Sequence, residues 1–126
     1  MLFRSYIVAF AGAQDYVDTP VRTYSSGMLM RLGFSVAVHM EPDVLIVDEI
    51  LAAGDEAFRR QVRERLQEET ARGRVVLFAS HYMEEVRLVC ERVIWMAEGQ
   101  AVRGGATAEV VDAYVRESLG DAGQSS

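Results

Sequence analysis

The chain has 126 residues, half of them apolar and a quarter charged, with a formal net charge of −6. That length allows one domain able to bury about two thirds of its unfolded surface, and the ordinary composition excludes a fibre or a disordered chain. All 13 basic residues are arginines, scattered instead of clustered, so there is no basic footprint for nucleic acid. The one cysteine, Cys90, cannot form an intrachain disulfide, and its setting in VRLVCERV reads as core filler in a reducing compartment.

Phe3, Tyr6, Ile7 and Phe10 fall at helical spacing and predict a first helix near Leu2 to Ala11. Its apolar run, Tyr6 to Ala11, is at or below the ~7–15 residues of a secretory signal, so export is not expected. No run approaches the ~20 apolar residues that cross a bilayer. Pro20 keeps Asp15 to Thr23 in a loop, and a second helix begins within YSSGM, Tyr24 to Met28, and runs to about Met40. Glu41-Pro42-Asp43 ends it. The run VLIV, Val44 to Val47, then reads as a strand covered on both faces and stops at two acids, Asp48 and Glu49.

A third helix, about Asp55 to Ala71, carries Phe58, Val62 and Leu66 at steps of four on one face, and Gly73 closes it. A second strand, Val75 to Ala79, ends at Ser80-His81, and a short helix follows with Met83, Val86 and Cys90 on one stripe. Val93 to Met96 and Ala101 to Arg103 form a hairpin whose turn, Glu98-Gly99, demands positive φ at both residues. A last helix spans about Thr107 to Ser118, and Gly120 to Ser126 reads as a disordered tail. Helices alternating with apolar strands predict an α/β fold with a mostly parallel sheet flanked by helices.

Ligands of open α/β sheets bind beyond the carboxyl ends of the strands, which singles out Asp48, Glu49, Ser80 and His81. Two acids at a strand end can divide labour, one holding hydrated magnesium and the other orienting or deprotonating a water, or they can be a solvated strand end that caps the next segment. His81 could bond a phosphate oxygen or cap a surface turn; His39, among apolar neighbours, reads as structural. Two histidines and one cysteine give no metal-ligand spacing, and without a G-x-S-x-G elbow no nucleophilic triad is supported. YSSGM offers backbone N–H groups, two hydroxyls and a glycine at a helix start, which suits an anion as well as it suits a plain serine cap.

YSSGM, VLIVDE, AAGD and ASHYMEEV, in that order and at these separations, resemble the C-terminal half of an ATP-binding cassette (ABC) transporter ATPase, a P-loop NTPase-like fold. YSSGM in place of LSGGQ, preceded by DTPVRT and followed by RLGF, looks most like the ATPases that export polysaccharide, O-antigen or teichoic acid. The resemblance covers about Phe3 to Ser118. It implies a partial ABC ATPase domain over 1–119, with the end of a helical subdomain over about 1–40 and the remainder of the catalytic core over about 41–119.

Carried over by position, Ser25, Ser26 and Gly27 match the signature loop that contacts ATP bound to the opposite subunit, Ser26 standing where a glycine is usual. Asp48 matches the acid that holds magnesium through water, Glu49 the catalytic glutamate, Asp55 the aspartate that communicates across the dimer, and His81 the switch histidine that senses the γ-phosphate. Ile50 replaces the usual proline after the glutamate, which also fits the polysaccharide branch. G-x-x-x-x-G-K-[ST] is absent from a sequence without lysine, as are the adenine-stacking aromatic and the glutamine loop.

What the resemblance implies is an ATP- and magnesium-dependent transport ATPase, working with a membrane permease subunit and a second ATPase subunit in a homo- or heterodimer on the cytoplasmic face of the membrane. Phosphoryl transfer depends on gripping the phosphates, so the isolated chain is expected not to hydrolyse ATP. Two other readings are a non-catalytic module that completes the nucleotide site of an intact partner and a piece of an ABC-type DNA-repair ATPase, although the long coiled coil of the latter is missing.

Overall fold

The computed structural model describes residues 2–48 and 55–124. They divide into two compact units, Met1–Ala79 and Ser80–Ser126. The first contains helix α1 (Leu2–Ala11), two short 3-10 turns (Gln14–Tyr16 and Val21–Thr23), helix α2 (Ser26–His39), strand β1 (Val44–Asp48), helix α3 (Glu56–Ala71) and strand β2 (Val75–Ala79). The second contains helix α4 (Met83–Val89), strands β3 (Arg92–Ala97) and β4 (Gln100–Ala106), and helix α5 (Thr107–Gln124).

In the first unit the three helices meet through aromatic side chains. Phe10 of α1, Phe34 of α2 and Phe58 of α3 have ring centroids 5.8 to 6.4 Å apart. The Ser35 hydroxyl, fully buried, donates to the Ile7 carbonyl at 2.7 Å and ties α2 to α1. His39 is structural as expected: its Nδ1 donates to the Ser35 carbonyl at 2.6 Å and its ring stands edge-on to Phe10. Phe58, Val62 and Leu66 form the buried stripe of α3, each contributing roughly 1.5–3 kcal/mol of apolar burial.

Both helix ends use local chemistry. α2 stops because Glu41 takes φ 54°, the left-handed conformation that follows many helix ends, ahead of Pro42. α3 closes on Gly73 at φ 83° with a complete Schellman pair, Gly73 N–H to the Thr70 carbonyl and Arg74 N–H to the Glu69 carbonyl.

β1 and β2 pair in parallel, from Val44 opposite Val75 to Asp48 opposite Ala79. Leu45 and Val47 are buried, whereas Val44, Ile46, Val75 and Leu77 on the other face are 52 to 72% exposed. The apolar run VLIV predicts cover on both faces, and among the described residues only one face has it.

In the second unit β3 and β4 form the expected antiparallel hairpin, longer than the sequence suggested. Glu98 and Gly99 have φ 52° and 75°, the two positive values that a type I′ turn requires. Helix α5 covers one side, with Trp95 edge-on to Tyr114 at 5.5 Å and Val110 and Val111 buried. Thr107 starts that helix by donating its hydroxyl to the Cys90 carbonyl at 2.6 Å. Cys90 is half-buried, and desolvation pushes its thiol pKa up. One expectation is corrected here: residues 120–124 continue α5 instead of forming a disordered tail. Nothing between Leu119 and Gln124 is a proline, so the helical hydrogen bonds run on through two glycines despite their entropy cost of about 1 kcal/mol each.

Candidate functional site

The YSSGM turn is held from two sides. Upstream, the Thr23 hydroxyl donates to the Pro20 carbonyl at 2.7 Å and the Tyr24 hydroxyl to the Tyr16 carbonyl at 2.6 Å, with the two tyrosine rings edge to face. Downstream, Ser25 is the N-cap of α2: at φ −64° and ψ 162° its hydroxyl oxygen accepts from the Met28 N–H at 3.2 Å. Helix geometry leaves the amides of Ser26 and Gly27 without an intrahelical acceptor. Gly27 has no positive φ, and a Cβ added there would meet only the Ser25 hydroxyl at 4.0 Å. Neither conformation nor packing within the described residues demands glycine at this position. Beside the turn lies a cleft of about 320 Å³ bordered by Gly12, Tyr16, Ser25, Gly27, Met28 and Arg31.

Asp55 stands at the head of α3. Its Oδ1 accepts from the Phe58 N–H at 2.8 Å, and its Oδ2 lies 3.3 Å from the Arg31 guanidinium. The Phe58 N–H holds its carboxyl below the ordinary aspartate value of 3.8, opposed by desolvation, and the Arg31 guanidinium adds to the depression. Arg31 also lies over the Phe58 ring, 5.0 Å from its centroid. The signature-like turn and Asp55 are therefore linked inside the first unit, by an arginine that the sequence reading passed over. Its signal was present: Arg31 follows Gly27 by four residues, one helical turn along the same face.

Asp48 ends β1 as an exposed residue. Glu49, the other member of the acid pair, lies outside the described residues. His81 belongs to the second unit, exposed and stacked on Tyr82 at 4.8 Å; Tyr82 donates its N–H to the Ser80 hydroxyl at 3.0 Å just before α4. Among the described residues no group of three or more His, Cys, Asp or Glu is placed to hold a metal ion. No described helix is long and apolar enough to cross a membrane.

A second feature escaped the sequence reading. Glu69 continues the stripe of Phe58, Val62 and Leu66 and is fully buried. Arg65 Nε lies 3.0 Å and Arg72 3.8 Å from its Oε1, and Arg74 bonds its Oε2. Arg74 also reaches Glu41 at 3.9 Å, and Arg65 donates to the Val38 carbonyl at 3.3 Å, so the cluster ties the ends of α2 and α3 to the start of β2.

No protein-family model matches the chain. It is 42% identical over 111 residues to the teichoic acids export ATP-binding protein TagH of Lactiplantibacillus plantarum, a match spanning 88% of this chain and 31% of that protein. It is 41% identical over 108 residues to the O-antigen export system ATP-binding protein RfbB of Klebsiella pneumoniae, spanning 86% of this chain and 44% of the relative. Among solved structures, an ATP binding subunit of an ABC transporter superposes with TM-score 0.79 at 17% identity, over 89% of this chain and 48% of the other. A dimeric ATP-binding cassette in a post-hydrolysis state, bound to ADP and Pi, gives TM-score 0.74 at 18% identity over 84% and 46%. These structures establish an ABC ATPase fold, and over most of its length the chain is a homologue of the teichoic acid and O-antigen export ATP-binding proteins, of which it spans about a third to somewhat under a half.

Proposed function

We propose that these residues serve an ATP-binding subunit that couples ATP hydrolysis to the export of a polysaccharide or glycolipid, at the cytoplasmic face of a membrane and together with a permease subunit and a second ATPase subunit. The observation that carries this reading is the start of α2. Ser25 caps the helix, helix geometry leaves the amides of Ser26 and Gly27 without an intrahelical acceptor, and nothing within the described residues requires a glycine at 27. A backbone that must approach a phosphate closely supplies a reason for one.

The remaining roles follow position by position. Ser25, Ser26 and Gly27 meet the γ-phosphate of ATP held by the opposite subunit, and Asp55 carries the communication between subunits. Glu49 orients the attacking water, and His81 bonds the γ-phosphate. Asp48, an exposed carboxylate at a strand end, is the residue that would hold magnesium. With no cluster of three ligands among the described residues, it suits an ion that keeps its waters and takes its other ligands from phosphate oxygens. That ion neutralises phosphate charge when bound.

The 126 residues contain no lysine and so no phosphate loop; the grip on the nucleotide comes from outside them. The bare face of Val44, Ile46, Val75 and Leu77 supports this division, because parallel sheets are stable when both faces are packed. The test has two arms. The purified chain with Mg-ATP should release negligible phosphate, and multiple turnovers by it alone would sink the proposal. Assembled with an intact family ATPase subunit, Ser25→Trp should lower turnover at least about tenfold, equivalent to 1.4 kcal/mol of transition-state stabilisation. An unchanged rate would leave the turn without the assigned role.

A further inference from the structure

We propose that Arg31 is a positioning residue that makes the YSSGM turn and Asp55 a single unit, so that whatever moves the turn also moves the head of α3. The geometry is specific to an arginine. Its backbone lies in α2 one turn after Gly27, one guanidinium nitrogen lies 3.3 Å from Asp55 Oδ2, and the guanidinium carbon lies over the Phe58 ring, 5.0 Å from its centroid. Asp55 is held from the other side by its own helix, through the 2.8 Å bond from the Phe58 N–H to Oδ1. Phe58 itself is 3% exposed and packs against Phe34 of α2. The carboxylate is thus divided between two helices, one oxygen to each, and the Arg31 guanidinium joins α2 to the head of α3 there.

The pair is poorly suited to a purely stabilising role. The Arg31 and Asp55 side chains are 31% and 66% exposed, and ion pairs at such exposure add little to stability. Asp55 could also cap α3 without any arginine, as many N-cap aspartates do. The neighbouring acid, Glu56, is engaged elsewhere, with Arg63 at 3.1 Å and Arg59 at 4.0 Å, and does not compete for Arg31. What the arrangement does supply is orientation. Arg31 and the turn share the first two turns of α2 and border the same cleft, so a rigid shift of that helix start carries the guanidinium that holds Asp55. In functional terms this rests on the proposal that the turn meets a nucleotide: engagement of the phosphate at Ser25 to Gly27 would be delivered to Asp55 within the same chain.

A double-mutant cycle read by NMR on the labelled full chain tests the link without any nucleotide. Asp55→Asn preserves the cap and removes the charge, and it should displace the amide resonances of Ser26, Gly27 and Met28. In an Arg31→Gln background the same substitution should displace them little or not at all, giving strong non-additivity. Arg31→Lys keeps the charge but loses fork and stacking, and should restore only part of the response. Equal displacements with and without Arg31, or no displacement of the turn in either background, overturn the proposal. If Arg31→Gln fails to fold, the cycle is completed with Arg31→Lys, where a full response again overturns it. The Ser25→Trp turnover experiment separates the two readings: an unchanged rate removes the nucleotide while the link stands, and additive displacements remove the link while turnover stays dependent on Ser25.

Discussion

The two ends of helix α3 each carry an acid held by arginine, and they solve different problems. At the N-terminal end Asp55 is two thirds exposed, holds one arginine from another helix and caps its own. At the C-terminal end Glu69 is fully buried among Arg65, Arg72 and Arg74. Water screens the first pair, so it orients Asp55 while adding little to stability; in the second the carboxylate has no water to fall back on, so removing its arginines strands charge in the interior. The same chemical pairing is therefore a hinge-like link at one end and a structural lock at the other. Burial makes the difference.

The largest expected effect is at the lock. Glu69→Ala should lower unfolding stability by on the order of 3 kcal/mol, read from the urea midpoint, because Arg65 and Arg74, both mostly buried, lose their close acidic partner and are left with 3.9 Å contacts to Glu68 and Glu41. A loss under about 1 kcal/mol would erase the contrast between the two ends. Next comes Asp55→Ala, which loses cap and ion pair together and should cost clearly less than Glu69→Ala, with Asp55→Asn costing less still because asparagine caps as well as aspartate. A reversed order would mean that the exposed end is the structural one.

Acid sharpens the same comparison. The folded-state pKa of Asp55 is depressed, so its contribution is fully present above the unfolded value near 3.8 and is lost as pH falls through the lower folded value. The stability difference between wild type and Asp55→Asn should accordingly shrink over that acid range, and a difference independent of pH would mean the carboxylate is not held as described. The smallest effect lies beside the lock. Glu41 occupies a left-handed conformation, so Glu41→Gly should relieve backbone strain and gain up to about 1 kcal/mol, offset in part by the lost 3.9 Å contact with Arg74. A clear loss on thermal melting would make that contact part of the lock.

Much of the fold was legible in the residues. The helix of Phe58, Val62 and Leu66, its glycine stop at Gly73 and the Glu98-Gly99 turn each rest on a short-range rule, and each appears where the rule puts it. The candidate site was legible differently. Ser25 as a cap followed from its own hydroxyl, but its meaning came from the order of motifs behind it. Arg31 was missed because it takes its role from Asp55, 24 positions away on another element, and no local pattern announces such a partner. Glu69 had local signals, a charged residue set in an apolar stripe with Arg65 four positions before it and Arg72 three after, but its full burial depends on how α3 packs.

By itself the sequence determined which segments are helix and which strand, the alternation that makes an α/β fold, and the resemblance to ABC ATPases, because these depend on side-chain period, caps and motif order along the chain. Tertiary structure alone decided that VLIV has a bare face, that one acid of α3 is buried and the other exposed, and that the YSSGM turn is tied to Asp55. Those properties depend on which surfaces meet and how much water remains between them, and a linear pattern does not encode solvent access.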